Sequence, residues 1–186
     1  MIDQFLQSRS NLRTDQYGGS ISNRIRFLLE ATQAVLDIWD SDRVGVRLSP
    51  RGTFNDMGDE DPEATFTAAI RELARLSLGY LHMVEASPGD APASPAFRSL
   101  FDRLRQIWPG LYVANGGFDG PGGERAIAEG RADAIAYGRT FLANPDLPKR
   151  LEHRAPLNEP DQATFYGGTE RGYIDYPAWE GSRACN

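Results

Sequence analysis

Residues 111–140 read LYVANGGFDGPGGERAIAEGRADAIAYGRT, and the order of residue types in this stretch decides the fold. Leu111 to Asn115 is a short apolar run of strand character, closed by Gly116-Gly117. Residues from about Gly122 to Glu129 have the spacing of a short helix. Ala132 to Tyr137 is a second apolar run, again closed by glycine, at Gly138-Arg139. A helix from about Thr140 to Arg150 follows. Alternating strands and helices of this kind make a parallel sheet with crossover helices packed on it.

Working outward, the same cycle runs twice before this stretch. Arg43 to Pro50 has buried-strand character and is ended by proline. Pro62 suits the first turn of a helix reaching about Ser77. Gly79 to Glu85 is the next strand, followed by a loop over 86–94. A helix from about Pro95 to Trp108 carries Phe97, Leu100, Phe101, Leu104 and Ile107 on one side. Further upstream, Ser20 to Asp40 shows helical spacing of Ile21, Ile25, Leu28, Leu29, Thr32, Val35 and Leu36, with Ser20 or Ser22 as its cap. Residues 1–19 read as an ordered loop, and 153–186 as an ordered tail with at most one short helix. The region 20–152 thus holds four βα units. No G-x-G-x-x-G turn follows the first strand, which argues against a dinucleotide-binding sheet, and there is no phosphate-binding P-loop sequence. The rival is a (β/α)8 barrel, which needs about 250 residues. Four units are half of one. The expected architecture is therefore α/β: residues 1–186 form a single partial TIM-barrel domain.

Composition fits that size. The chain has 186 residues, 40% hydrophobic and 25% charged, which is globular and long enough for a real core. A net charge of −6 points away from nucleic acid and anionic membranes as partners. Lys149 is the only lysine among 20 basic residues, a bias we attribute to coding. Cys185 is the only cysteine, so no internal disulfide or cysteine-zinc cluster can form. With only His82 and His153, a histidine-rich metal site is not expected. No apolar run reaches the roughly 20 residues of a membrane span, so a cytoplasmic protein is expected.

In a barrel, function gathers at the C-terminal strand ends. Arg47, set among strand residues, needs an anionic partner. A bound cofactor and an internal salt bridge to Glu85 are equally good partners on sequence alone. His82 reads as a packed core histidine. Gly116-Gly117 and Gly138-Arg139 are more informative. Glycine lets backbone N–H groups approach an anion, and helix N-termini favour negative charge. The paired occurrence at consecutive strand ends points to a phosphate cradle with Arg139 as its charged clamp. Phe165-Tyr166 offers an aromatic pair that could cover a flat ligand. No Ser-His-Asp or Cys-His arrangement is present.

Several segments together resemble one family. Asn11-Leu-Arg-Thr-Asp-Gln-Tyr-Gly-Gly-Ser20 with Asn23-Arg24 resembles the signature loop of the Old Yellow Enzyme family of FMN-dependent ene-reductases. Gly45–Pro50, Tyr80–Glu85, Ala136–Arg139 with Asn144–Leu147, and Phe165–Gly168 with Gly172–Pro177 follow in that family's order. The resemblance runs from about Gln4 to Pro177. Its nearest look is to the bacterial branch of N-ethylmaleimide and nitrate-ester reductases.

The resemblance implies the C-terminal half of the barrel, with noncovalent FMN and NADPH or NADH as hydride donor. The acceptor would be a small molecule: an activated alkene, a nitro compound or a nitrate ester. By position, Arg47 would stabilise reduced FMN beside its N1 and C2 carbonyl. Gly116, Gly117, Gly138 and Arg139 would hold the phosphate, and Phe165 and Tyr166 would border the flavin and substrate pocket. No catalytic residue is expected within the chain, because the family's oxygen-binding histidine pair and tyrosine proton donor would fall just upstream of Met1. Ser22 also stands where the family commonly has glutamate. The expectation is a fragment with little ene-reductase activity alone. The alternatives are a non-catalytic FMN- or phosphate-binding half barrel that self-associates through its sheet edges, and a small phosphosugar-binding α/β enzyme.

Overall fold

Four strands alternate with helices along the chain, as the 111–140 stretch requires. A computed structural model describes residues 1–86, 95–167 and 169–181. The loop expected over 86–94 lies outside the described residues apart from Ala86, and so do Gly168, Cys185 and the side chain of Phe97. By its internal contacts the chain divides into Met1–Ala136 and Tyr137–Asn186.

The first unit holds β1 (Gly45–Leu48), β2 (Tyr80–Val84), β3 (Leu111–Asn115) and β4 (Ala134–Ala136). All neighbours are parallel and the order is β1-β2-β3-β4, so each strand lies beside its sequence neighbour. Register sets Arg47 beside His82, His82 beside Val113 and Val113 beside Ala134. Alternation then sorts the side chains onto two faces. Leu48, Leu81, Met83, Tyr112 and Ala114 face the helices and are buried. Gly45, Arg47, Tyr80, His82, Val84, Leu111, Val113 and Asn115 share the other, more open face, where Tyr80 is 41% and Leu111 47% exposed. The Tyr80 ring fills the space a side chain at position 45 would need, which accounts for Gly45.

The helices supply the matching apolar faces: α1 (Ile2–Leu6), α2 (Ile21–Arg24), α3 (Arg26–Leu36), α4 (Pro62–Ala74), α5 (Pro95–Ile107) and α6 (Gly120–Ala128). The core joins Leu6, Leu28, Phe66, Ile70, Leu73 and Leu104 to the buried strand face. Local chemistry sets the helix starts. Ser20 accepts from Asn23 N, Asp61 from Ala64 N with Pro62 in the first turn, and Asp119 from Gly122 N with Pro121 likewise.

Three expectations need correction here. Residues 1–19 are not all loop. Ile2–Leu6 is helical because Leu6 is fully buried and Phe5 packs on Phe27, with ring centroids 4.5 Å apart. The helix expected over Ser20–Asp40 is two helices meeting at Ile25, and it stops at Leu36. Arg24 sits at that junction, buried, donating to Leu6 O (2.7 Å), Gly19 O (2.7 Å), Asp59 Oδ2 (3.2 Å) and Thr65 Oγ1 (2.8 Å). Finally, the helix expected over 140–150 is broken. In the second unit α7 (Arg139–Ala143) and α8 (Leu147–Glu152) are separated by Asn144-Pro145-Asp146, because the residue before proline is driven out of helical geometry.

The tail of the second unit is ordered by two buried polar side chains. Arg150 holds Asp146 Oδ1 (2.7 Å), Pro156 O (2.6 Å) and Pro177 O (2.7 Å). Asn144 accepts from Asn158 N (2.7 Å), and Asn158 Nδ2 donates to Ala143 O (2.8 Å). A 3-10 turn at Gln162–Thr164 is the short helix allowed for in the tail. Among the described residues, no helix is long and apolar enough to cross a membrane.

Candidate cofactor site

Arg47 is the centre of the candidate site in the first unit. It projects from the open face of β1 and is exposed. Glu85, the internal partner open to it on sequence alone, follows Val84 and therefore faces the opposite side of the sheet. There Glu85 Oε1 accepts from the Tyr112 hydroxyl at 3.0 Å. The internal salt bridge is thus excluded by strand alternation. Arg47 instead donates through Nη2 to Asn115 Oδ1 at 3.4 Å. It makes no ion pair among the described residues, although its charge acts on the Asp3 carboxyl at the same sheet end.

His82 sits beside Arg47 in register and is half-buried. Its Nε2 is buried with no hydrogen-bond partner, so it is packed but not satisfied as a core histidine should be. Burial, and then the Arg47 charge, lower its pKa, so the ring is neutral at pH 7. Asp3, in α1, reaches the same sheet end: its Oδ2 accepts from Ser49 N at 3.0 Å while Oδ1 is buried and unpartnered. Burial raises its pKa to about 6 against the pull of that hydrogen bond.

Gly116 and Gly117 follow β3 directly, with φ of 110° and 71°. Position 116 has a second constraint, since a Cβ there would lie 2.6 Å from both Ala86 N and Ala86 O. Only glycine lets the end of β3 lie so close to the end of β2. A Cβ on Gly117 would meet nothing nearer than 3.9 Å, so its glycine serves the left-handed backbone. The helix N-terminus expected to help here does not. Asp119 caps α6 with its own carboxylate, which disfavours a second anion at that point. What fits a phosphate group is the bare glycine backbone itself.

Gly138 and Arg139 lie at the start of the second unit, with Tyr137 between them and the end of β4. Both are exposed, and a Cβ on Gly138 would meet nothing within 4 Å. Phe165 and Tyr166 lie in the tail of the same unit, their rings edge to face with centroids 6.5 Å apart. Tyr166 is 93% exposed, and its edge-to-face contact with Phe165 leaves most of the ring open. The structure therefore brings Arg47 to the residue that precedes Gly116-Gly117, and sets Gly138, Arg139, Phe165 and Tyr166 in the other unit. A cavity of about 300 Å³ is lined by Phe5, Arg13, Tyr17, Phe27, Glu30 and Ala31 and includes none of these residues.

Sequence reasoning missed Asn115 and Asp3. Asn115 was visible only as a strand end. Its role depends on contacts to β1 and β4, which no local pattern encodes.

Four parallel βα units in sequence order make half of a (β/α)8 barrel, and the comparisons agree on that fold. The model of the NADH:flavin oxidoreductase / NADH oxidase family matches residues 1–158, and the chain belongs to that family. It is 42% identical over 181 residues to 12-oxophytodienoate reductase 2 of Arabidopsis thaliana, covering 97% of this chain and 48% of that protein. It is 44% identical over 177 residues to a probable flavin mononucleotide-dependent alkene reductase of Leishmania infantum, covering 95% of this chain and 47% of that protein. Morphinone reductase, 43% identical, superposes with a TM-score of 0.87 over 98% of this chain and 48% of its own. A second structure of it, in complex with tetrahydroNAD, superposes with a TM-score of 0.85. The chain thus spans about half the length of the relatives it matches.

Proposed function

We propose that this chain is the cofactor-holding half of an FMN-dependent ene-reductase. Arg47 carries the reading: an exposed guanidinium on the open sheet face, with a neutral amide beside it instead of a carboxylate. The chemistry supplied by bound FMN would be hydride transfer from NADPH or NADH to an activated alkene, a nitro compound or a nitrate ester. Arg47 would face the flavin N1 and C2 carbonyl and stabilise the negative charge gained on reduction. Gly116 and Gly117 would offer backbone N–H groups to the phosphate. In the second unit, Gly138 and Arg139 would offer backbone and charge to an anionic group, and Phe165 and Tyr166 an aromatic pair to a flat ligand. The names of the relatives support this reading, as does the bare glycine backbone after β3.

Fluorescence titration of FMN with the 186-residue chain tests it. Binding should quench the flavin, and Arg47→Ala should weaken affinity about tenfold, the effect of about 1.4 kcal/mol. Absence of any change at high micromolar protein would defeat the proposal.

A second reading, a non-catalytic half barrel that self-associates, is favoured by one observation. β1 and β4 are the outer strands of the described sheet, and its open face exposes Tyr80 and Leu111. Sedimentation velocity separates the two: a chain that stays monomeric at tens of micromolar removes the second.

A further inference from the structure

Three polar side chains interrupt the open face of the sheet: Arg47 on β1, His82 on β2 and Asn115 on β3. Of these, Asn115 is held from two sides. Its carbonyl accepts from Glu85 N at 2.7 Å, and its side-chain Nδ2 donates to Ala136 O at 2.7 Å. The second bond fixes which way the amide points. Turned over, it would set Oδ1 against the Ala136 carbonyl, two acceptors face to face. Oδ1 must therefore look away from β4, toward β1, and that is where Arg47 Nη2 lies, at 3.4 Å.

Arg47 is the opposite case. It is a long, exposed side chain, and this is its only side-chain hydrogen bond among the described residues. We infer that Asn115 is the positioning residue for Arg47: a rigid amide, anchored on β4, that biases the guanidinium toward the end of β3 where Gly116-Gly117 begins. The choice of amide has a chemical consequence. A carboxylate at 115 would pair with Arg47 and cancel its charge, and a serine or alanine would not reach it. A neutral acceptor orients the guanidinium and leaves its positive charge intact. At 3.4 Å the bond is long, so it restrains Arg47 without locking it. The consequence for flavin rests on the reading of Arg47 given above; the contact itself does not.

The test therefore begins without flavin. In the 186-residue chain, 15N relaxation of the Arg47 Nε–H, assigned with Arg47→Lys, should report a restrained side chain. Asn115→Ala should release it to the mobility of an unpaired surface arginine. Asn115→Asp keeps an acceptor for Arg47 but loses the donor to Ala136, and should leave Arg47 at least as restrained as in the parent. If the alanine variant leaves Arg47 motion unchanged, or if the aspartate variant frees Arg47 as alanine does, then Asn115 merely pins β3 to β4 and the inference is wrong. Should the alanine variant fail to fold, Asn115→Ser, which also cannot reach Arg47, replaces it. FMN titration supplies the second arm. Asn115→Ala should weaken binding threefold to tenfold, and the double variant with Arg47→Ala should bind no worse than Arg47→Ala alone. If Arg47→Ala binds FMN like the parent, the flavin reading of Arg47 fails, while the relaxation data still decide the Asn115 contact.

Discussion

Glu85 and Tyr112 meet on the helix-packed face of the sheet, where burial governs both. Burial raises the Glu85 carboxyl from 4.5 to about 7, against the hydrogen bond from Tyr112, and pushes the Tyr112 hydroxyl upward. A carboxyl with a higher pKa folded than unfolded binds more protons in the folded state between those two values. Stability must therefore fall as pH rises from about 4.5 to about 7. Asp3 adds the same sign between 3.8 and about 6. We expect Glu85→Gln to flatten the upper part of that slope, by on the order of 2 kcal/mol across it. Urea unfolding at pH 4.5, 5.5 and 7.5 reads this directly; an unchanged slope in the variant would count against the burial argument. Arg47 illustrates what is legible at this scale. Its need for an anion followed from residue type alone, but the choice between Glu85 and a ligand did not. That choice depends on which face each side chain takes.

At the level of elements, close approach and buried charge decide the outcome. Alanine at position 116 would combine a φ of 110° with a Cβ 2.6 Å from the Ala86 backbone, whereas position 117 carries only the φ of 71°. Gly116→Ala should therefore cost about 3 kcal/mol and Gly117→Ala about 1–2 kcal/mol. Denaturant midpoints check the order, and a larger loss at 117 would refute it. Gly138, in open space with a negative φ, should tolerate alanine with little change in stability. The Arg24–Asp59 pair, with side chains 9% and 1% exposed, ties α1, the 18–20 loop and the start of α4 together. Arg24→Met should cost about 3–5 kcal/mol, since it strands a buried carboxylate, and Asp59→Asn in the same chain should restore part of it. Thermal melts of the single and double variants measure this. The four strands and α4, α5 and α6 were readable from periodicity and punctuation. α1 was not, because a five-residue helix inside a loop-like sequence forms only through the burial of Leu6. The break between α7 and α8 is legible at Pro145, where helical spacing alone runs straight through it.

At the scale of the whole molecule, two histidines 71 positions apart mean that these 186 residues contain no His-x-x-His pair. The purified chain with FMN and NADPH should therefore reduce an enone at least about 100-fold more slowly than a full-length ene-reductase, the usual worth of a hydrogen-bond donor positioned on the oxygen where charge develops. Turnover within tenfold of the full-length enzyme would overturn that expectation. The sequence by itself determined the parallel βα order, the family, and the glycines and arginines at the strand ends. It could do so because strand alternation, helix periodicity and glycine placement are local properties of the chain. Only the tertiary structure decided that Arg47 and Glu85 face opposite sides of the sheet, that Asp119 and not a ligand caps α6, and that Asn115 links Ala136 to Arg47. The first and third of these depend on register between strands distant in sequence, where a shift of one residue would exchange every partner, while the Asp119 cap depends on how the turn before α6 closes.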